Sequence, residues 1–150
     1  MTRAGTTWLN GTGTAMLRPT SSVTIPVNGL AVGLALDYTK GIGAENNYSE
    51  AFAAYVSFQA TEKLKLNGRA DFAKGDNGTF GYTSTTDGNN ELFSLTCTAD
   101  YALWKNVISR LEFRWDTCLT DDSPFGGTTD NPAPGDSSAT SLTANIIYQF

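Results

Sequence analysis

Leu142-Thr143-Ala144-Asn145-Ile146-Ile147-Tyr148-Gln149-Phe150 alternates apolar and polar side chains almost residue by residue and stops on an aromatic ring. Leu142, Ala144, Ile146, Tyr148 and Phe150 take one parity; Thr143, Asn145, Ile147 and Gln149 take the other. A period of two is the mark of a strand with two unlike faces. The same period recurs upstream. Val107, Ser109, Leu111, Phe113 and Trp115 oppose Arg110, Glu112, Arg114 and Asp116. Phe93, Leu95, Cys97, Ala99 and Tyr101 oppose Ser94, Thr96, Thr98 and Asp100. Residues 64–72, 52–60 and 30–38 repeat it, with Lys65, Asn67, Arg69 and Asp71, then Tyr55, Ser57 and Gln59, then Asp37 on the less apolar parity. A seventh, Thr- and Gly-rich stretch lies around 6–17. No segment has a 3.6-residue period, so the chain reads as all-β.

Composition narrows the chemistry. The 150 residues suit one domain, 1–150, of which 1–27 carries the least regular pattern. There is no His, which removes Ser-His-Asp and Cys-His catalysis and His-bearing zinc sites. A net charge of -5 argues against nucleic acid as a partner. The first ten residues hold one Arg and no apolar run, unlike a secretory signal peptide. No stretch reaches the roughly 18 apolar residues of a membrane helix, but membrane β-barrels cross with alternating spans of about 10 residues.

The alternation fits a soluble sandwich and a membrane barrel equally, so placement decides. Short connections at 61–63 and 102–106 alternate with long polar ones at 39–49, 73–90 and 117–138. That is the pattern of short periplasmic turns and long extracellular loops; 18–29, with Pro19 and Pro26, should be a short turn but fits less well. Tyr101, Trp104, Tyr148 and Phe150 gather at the short-turn end; Tyr38, Phe52, Phe72, Phe113 and Trp115 gather at the other. Aromatics at both ends with aliphatic and small residues between is what two bilayer interfaces select. Within the strands as read, no charge sits on the apolar parity.

The terminal strand, with Tyr148 and Phe150, resembles the C-terminal signal that the barrel-assembly machinery reads in bacterial outer-membrane proteins. The run Leu103-Trp104-Lys105-Asn106-Val107-Ile108-Ser109-Arg110-Leu111-Glu112-Phe113-Arg114-Trp115-Asp116 is similar to the penultimate strand of the OmpL-like β-barrel porin family. Ala54 through Leu66, with Gly68-Arg69-Ala70-Asp71-Phe72, resembles that family's earlier hairpins, and the likeness spans about residues 28–150. It implies an antiparallel up-and-down transmembrane β-barrel in the bacterial outer membrane, acting as a passive channel for ions or small solutes. The expected partners are outer-membrane lipid, the assembly machinery and small solutes, with homo-oligomerisation left open and neither cofactor nor catalysis implied. Counting strands back from Phe150 puts the start of a seventh strand outside the cell, which predicts an incomplete C-terminal segment of about six to eight strands; two strands within 1–27 would instead allow an eight-stranded barrel.

Asp37, Tyr55, Lys65, Arg69, Asp71, Asp100, Arg110, Glu112, Arg114 and Asp116 are the expected pore-lining set. Charges of both signs there would bias ion passage, or simply pair across the strand ladder. Cys97 and Cys118 are too far apart in the expected register for a disulfide: about seven residues at ~3.3 Å each exceeds the ~7 Å limit. Cys97 is expected to face lipid. The acidic loop Thr120-Asp121-Asp122-Ser123, with Asp130 and Asp136, matches no calcium-loop spacing and reads as solvated, and the sequons at Asn10, Asn47 and Asn77 as incidental. Two competing readings remain: a soluble all-β binding or adhesion module using its long loops, and an outer-membrane enzyme with acidic residues at the rim.

Overall fold

In the computed structural model the alternating stretches form eight strands: β1 Arg3–Trp8, β2 Ala15–Thr24, β3 Leu30–Lys40, β4 Tyr48–Gln59, β5 Leu64–Asp76, β6 Asn89–Trp104, β7 Val107–Cys118 and β8 Ser138–Tyr148. The structure describes residues 3–8, 15–24, 28–40, 48–80, 88–126 and 135–150, with β1 and β2 described by their backbone. Each strand pairs antiparallel with its sequence neighbours in one sheet of order β1 to β8. Among the described residues β1 and β8 are the two free edges and do not meet, so the sheet is open. Among the described residues no helix is long and apolar enough to cross a membrane.

The first 27 residues depart from the expected single strand. Two strands occupy them, with Ala4 opposite Pro19 and Thr6 opposite Leu17. Pro19 hid β2 from a propensity reading, because proline usually breaks a central ladder. Here the register with β3 pairs Leu17 with Tyr38 and resumes with Thr20 opposite Ala35, leaving a gap where Pro19 has no N–H to give. With β2 reaching Thr24, the span 18–29 shrinks to a connection at 25–29, of which 25–27 lie outside the described residues. Gly29, at φ 81°, lies so close to β4 that an added Cβ would meet Gln59 at 3.0 Å. Its carbonyl accepts from Gln59 N at 2.8 Å. The eight strands fall within the expected six to eight, and the second strand in 1–27 brings Arg3 and Phe150 to the same, short-turn end of the open sheet.

The other short turns explain themselves locally. At 60–63, Thr61 Oγ1 accepts from Lys63 N at 3.2 Å and Leu64 N at 3.0 Å, folding the chain back within four residues. Between β6 and β7 only Lys105 and Asn106 turn, after a bulge between Ala102 and Trp104. That bulge sets the register so that Cys97 faces Phe113, two residues beyond the neighbourhood of Leu111 expected from sequence. The two are not bridged to each other: Cys97 is exposed, and Cys118 is buried with its Sγ 3.1 Å from Thr120 Oγ1.

What is missing is a core. Among the described residues only Ala53 and Cys118 are buried apolar side chains. The chain exposes 10628 Å², where a compact chain of 16.0 kDa would expose about 7,400 Å². Leu34, Leu36, Val56, Phe58, Leu66, Leu111 and Phe113 are exposed, and Leu142 and Ile146 each stand 70% exposed. The apolar face is therefore continuous and uncovered. A sandwich would lay a second sheet over it, and the described residues supply none.

Candidate functional site

The ladder sorts every described charge in β3–β7 by face. On the apolar side, Leu36, Phe52, Phe72 and Phe93 stand opposite one another across four strands, and Phe93 meets Trp115 edge-on with ring centroids 6.1 Å apart. This is an aromatic border at the long-loop end. Phe113, expected in it, lies further along the strand, opposite Cys97. One register step beyond the border come Tyr38, Glu50, Lys74 and Glu91. They share the apolar parity, which corrects the expectation that this side is free of charge. Lys74 Nζ pairs with Glu91 at 2.6 Å. The strands run past the stretch whose alternation is apolar, so these charges sit outside the aromatic row.

The polar side carries the expected lining set. Lys65, Asp100, Arg110 and Asn145 form one register row; Asn67, Thr98, Glu112 and Thr143 the next; Tyr55, Arg69, Thr96, Arg114 and Ser141 the third; and Asp71, Ser94 and Asp116 the fourth. A trough of about 630 Å³ runs over this surface, touched by β3 through Ala31 and Gly33 and by β7 through Arg110, Glu112 and Arg114. One cavity can touch strands that far apart only where the sheet curls toward its polar side. Tyr55, Lys65, Arg69, Asp100, Arg110, Glu112 and Arg114 line it together. Asp71 and Asp116 stand behind the arginines, and Asp37, opposite Ala51, lies away from the trough.

The ion pairs only partly follow the ladder. Arg110 and Asp100 are direct cross-strand partners and join bidentately, Nε to Oδ1 at 2.6 Å and Nη2 to Oδ2 at 2.9 Å. The other two pairs run along single strands. Arg69 Nε reaches Asp71 at 2.7 Å, and Arg114 forks onto Asp116 through Nε and Nη2, each at 2.8 Å. Ser94 Oγ donates to Asp116, Thr98 Oγ1 to Glu112 at 3.2 Å, and Asn67 Nδ2 to Asp100 at 3.4 Å. The Arg69 guanidinium lies 5.2 Å above the Tyr55 ring. Arg69 and Arg114 keep 52% of their side-chain surface open. Pairs so exposed contribute at most about 1 kcal/mol each to stability, so their consequence is orientation: each guanidinium is tethered while its remaining N–H groups stay open.

The expected lining set leaves out the polar residues that brace this array, Asn67, Ser94, Thr96 and Thr98, although parity puts them on this face. That parity was the available signal, but short uncharged side chains do not stand out on a half-polar strand. The set also misses the long-loop end of the same face. There Asn90 is fully buried and accepts from Gly78 N at 2.9 Å, and Thr120 Oγ1 donates to buried Asp122 at 2.9 Å. Asp136 bridges to Phe125, and Asp130 lies outside the described residues, as do Asn10 and Asn47 among the sequons. At the other end Tyr148 stands opposite Val107, with Phe150 fully exposed beyond it on the free edge of β8.

A family model described as "Putative beta-barrel porin-2, OmpL-like" matches residues 13–150, reaching further upstream than the likeness legible by eye. No curated protein and no solved structure matches the chain.

Proposed function

We propose, because this chain belongs to the OmpL-like β-barrel porin family, that it forms part or all of a channel wall in a bacterial outer membrane, through which ions or small solutes diffuse passively. The observation that carries the reading is the pair of exposed faces. One is apolar, edged by the Phe52–Phe72–Phe93 row; the other is polar, curled around the trough and lined by Tyr55, Lys65, Arg69, Asp100, Arg110, Glu112 and Arg114. A bilayer accepts the first face and water the second. An adhesion module would leave the apolar face in water at a cost of about 25 cal/mol per Å², so the geometry favours the membrane reading over it.

In this reading the lipid, the passing solutes and the assembly machinery, engaged through Tyr148 and Phe150, are the partners. No cofactor, nucleic acid or catalytic step is needed in this reading. The full chain, refolded into detergent, should migrate differently on gels before and after boiling, and should produce stepwise conductance in planar bilayers bathed in KCl. Material that partitions into the aqueous phase of a detergent separation and leaves bilayers silent would overturn the proposal.

A further inference from the structure

The balance of charge along the trough points to the class of solute that it serves. On the polar face of β3–β8 stand four cations, Lys65, Arg69, Arg110 and Arg114, against five carboxylates, Asp37, Asp71, Asp100, Glu112 and Asp116. Three of the four cations are spent in ion pairs within the wall. A bare ion passing β5–β7 therefore meets each of these three guanidinia together with an opposite charge less than 3 Å away.

Hydrogen-bonding capacity is a different matter. The third row places Tyr55, Arg69, Thr96 and Arg114 side by side on consecutive strands, with strands spaced about 4.8 Å apart. Asp71 holds Arg69 through Nε alone, so both terminal nitrogens remain; Arg114 retains Nη1. Thr96 lies between Arg69 and Arg114 in the register, and Thr98, Asn67 and Glu112 add hydroxyl, amide and carboxylate groups one row away. Charged donors and acceptors alternate within reach of one another, held in fixed orientations. A solute whose neighbouring hydroxyls both donate and accept can satisfy them together, and charge-assisted bonds of this kind are the strong ones. The trough, at about 630 Å³, falls within the 300–1,000 Å³ typical of small-molecule sites.

We infer that the Arg69–Thr96–Arg114 row is a binding site for uncharged polyhydroxylated solutes of oligosaccharide size. The inference rests on the channel reading above and names the solute class of that same surface.

The test is current block in planar bilayers with the full chain, using maltotriose as the probe. A polyethylene glycol of matched mass, which accepts but does not donate hydrogen bonds, serves as the steric control, and citrate as the anionic one. Maltotriose should block at lower concentration than either. The variant Arg69→Gln/Asp71→Asn/Arg114→Gln/Asp116→Asn keeps the net charge and removes the tethered guanidinia; it should raise the half-blocking concentration of maltotriose about tenfold or more. Thr96→Val, which alters one hydroxyl and no charge, should raise it by a smaller factor and stands in if the fourfold variant does not fold. Conductance in KCl with maltotriose and glycol equally effective, with citrate the better blocker, or with block unchanged in the variants refutes the solute class alone. Silence in KCl refutes the channel reading and takes the solute class with it.

Discussion

Replacing outward residues of β6 by arginine, one at a time, should trace the bilayer. From Phe93 to Tyr101 the strand advances eight residues; at about 3.3 Å per residue and a tilt near 40° that is roughly 20 Å along the membrane normal. This approaches the band of about 25 Å expected of an outer-membrane barrel. Cys97 is the midpoint, four residues from each aromatic, so its side chain lies about 10 Å from either border. An arginine at such a depth costs about 2–4 kcal/mol, falling to about 0–1 kcal/mol near the interfaces. Steric cost does not confuse the measurement, because Cys97 opens on an apolar groove of about 460 Å³ whose floor is Gly68 and whose sides include Leu66, Leu111 and Phe113. The series Phe93→Arg, Leu95→Arg, Cys97→Arg, Ala99→Arg and Tyr101→Arg should therefore give its largest loss at Cys97, with Leu95 and Ala99 intermediate; the ends also lose ring contacts, Phe93 its edge on Trp115. Thr98→Arg, one residue away but on the trough side, should cost within about 1 kcal/mol. Guanidinium unfolding from phosphatidylcholine vesicles, followed by tryptophan fluorescence at constant m-value, reads these differences. A profile without a maximum at Cys97, or a Thr98→Arg loss equal to that of Cys97→Arg, would refute the assignment of the faces.

Three further outcomes follow from the same geometry. Arg110→Gln with Arg114→Gln leaves Asp100 and Asp116 without their bonded cations, so the permeability ratio of potassium to chloride, taken from reversal potentials in a salt gradient, should rise at least about twofold, since a charge at 4 Å in water contributes about 1 kcal/mol; unchanged potentials would place these residues outside the ion path. Cys97 is exposed on the apolar face and Cys118 is buried, so in vesicles an apolar maleimide should label the former while a charged thiosulfonate labels neither, and both thiols should titrate after denaturation; a charged reagent reacting with Cys97 as fast as with a model thiol would put that face in water. Deleting Phe150, whose ring is fully exposed beyond the last strand, should leave vesicle refolding in vitro within about 1 kcal/mol yet lower the amount of folded barrel in bacterial outer membranes; equal accumulation would remove its role as an assembly signal.

How much of this was legible in the sequence follows from what alternation can encode. Parity assigns a residue to a face without reference to any neighbour, and it put Tyr55, Arg69, Arg110, Glu112 and Arg114 on one surface and Phe52, Phe72 and Leu111 on the other, where the ladder has them. Register is a property of two strands and their turn. Phe113 falls elsewhere because the hairpin turns on Lys105 and Asn106 alone and the bulge between Ala102 and Trp104 restores the parity, which slides Phe113 inward to face Cys97. Strand ends are also hidden from parity, since Glu50, Lys74 and Glu91 extend the apolar face with charge, and a reading that stops where the hydrophobic residues stop cannot see that the backbone continues. β2 was lost to Pro19, whose position is tolerable only at a gap in a ladder that no single strand reveals.

The pairing of the polar face shows the same limit and gives it a functional meaning. Reading across the ladder anticipates Arg110 with Asp100, but Arg69 and Arg114 bind carboxylates two residues further along their own strands. Had those arginines paired across to β6, they would have met Thr96, which carries no charge. The threonine between them thus forces each guanidinium to seek its partner along the strand and leaves a strip of open hydrogen-bond donors at that level of the trough. A carboxylate at that position would bridge both arginines and close the strip. Thr96→Glu should accordingly abolish maltotriose block while leaving the heat-modifiable migration of the folded chain intact, and block persisting in that variant would show that the strip is not where solute is held.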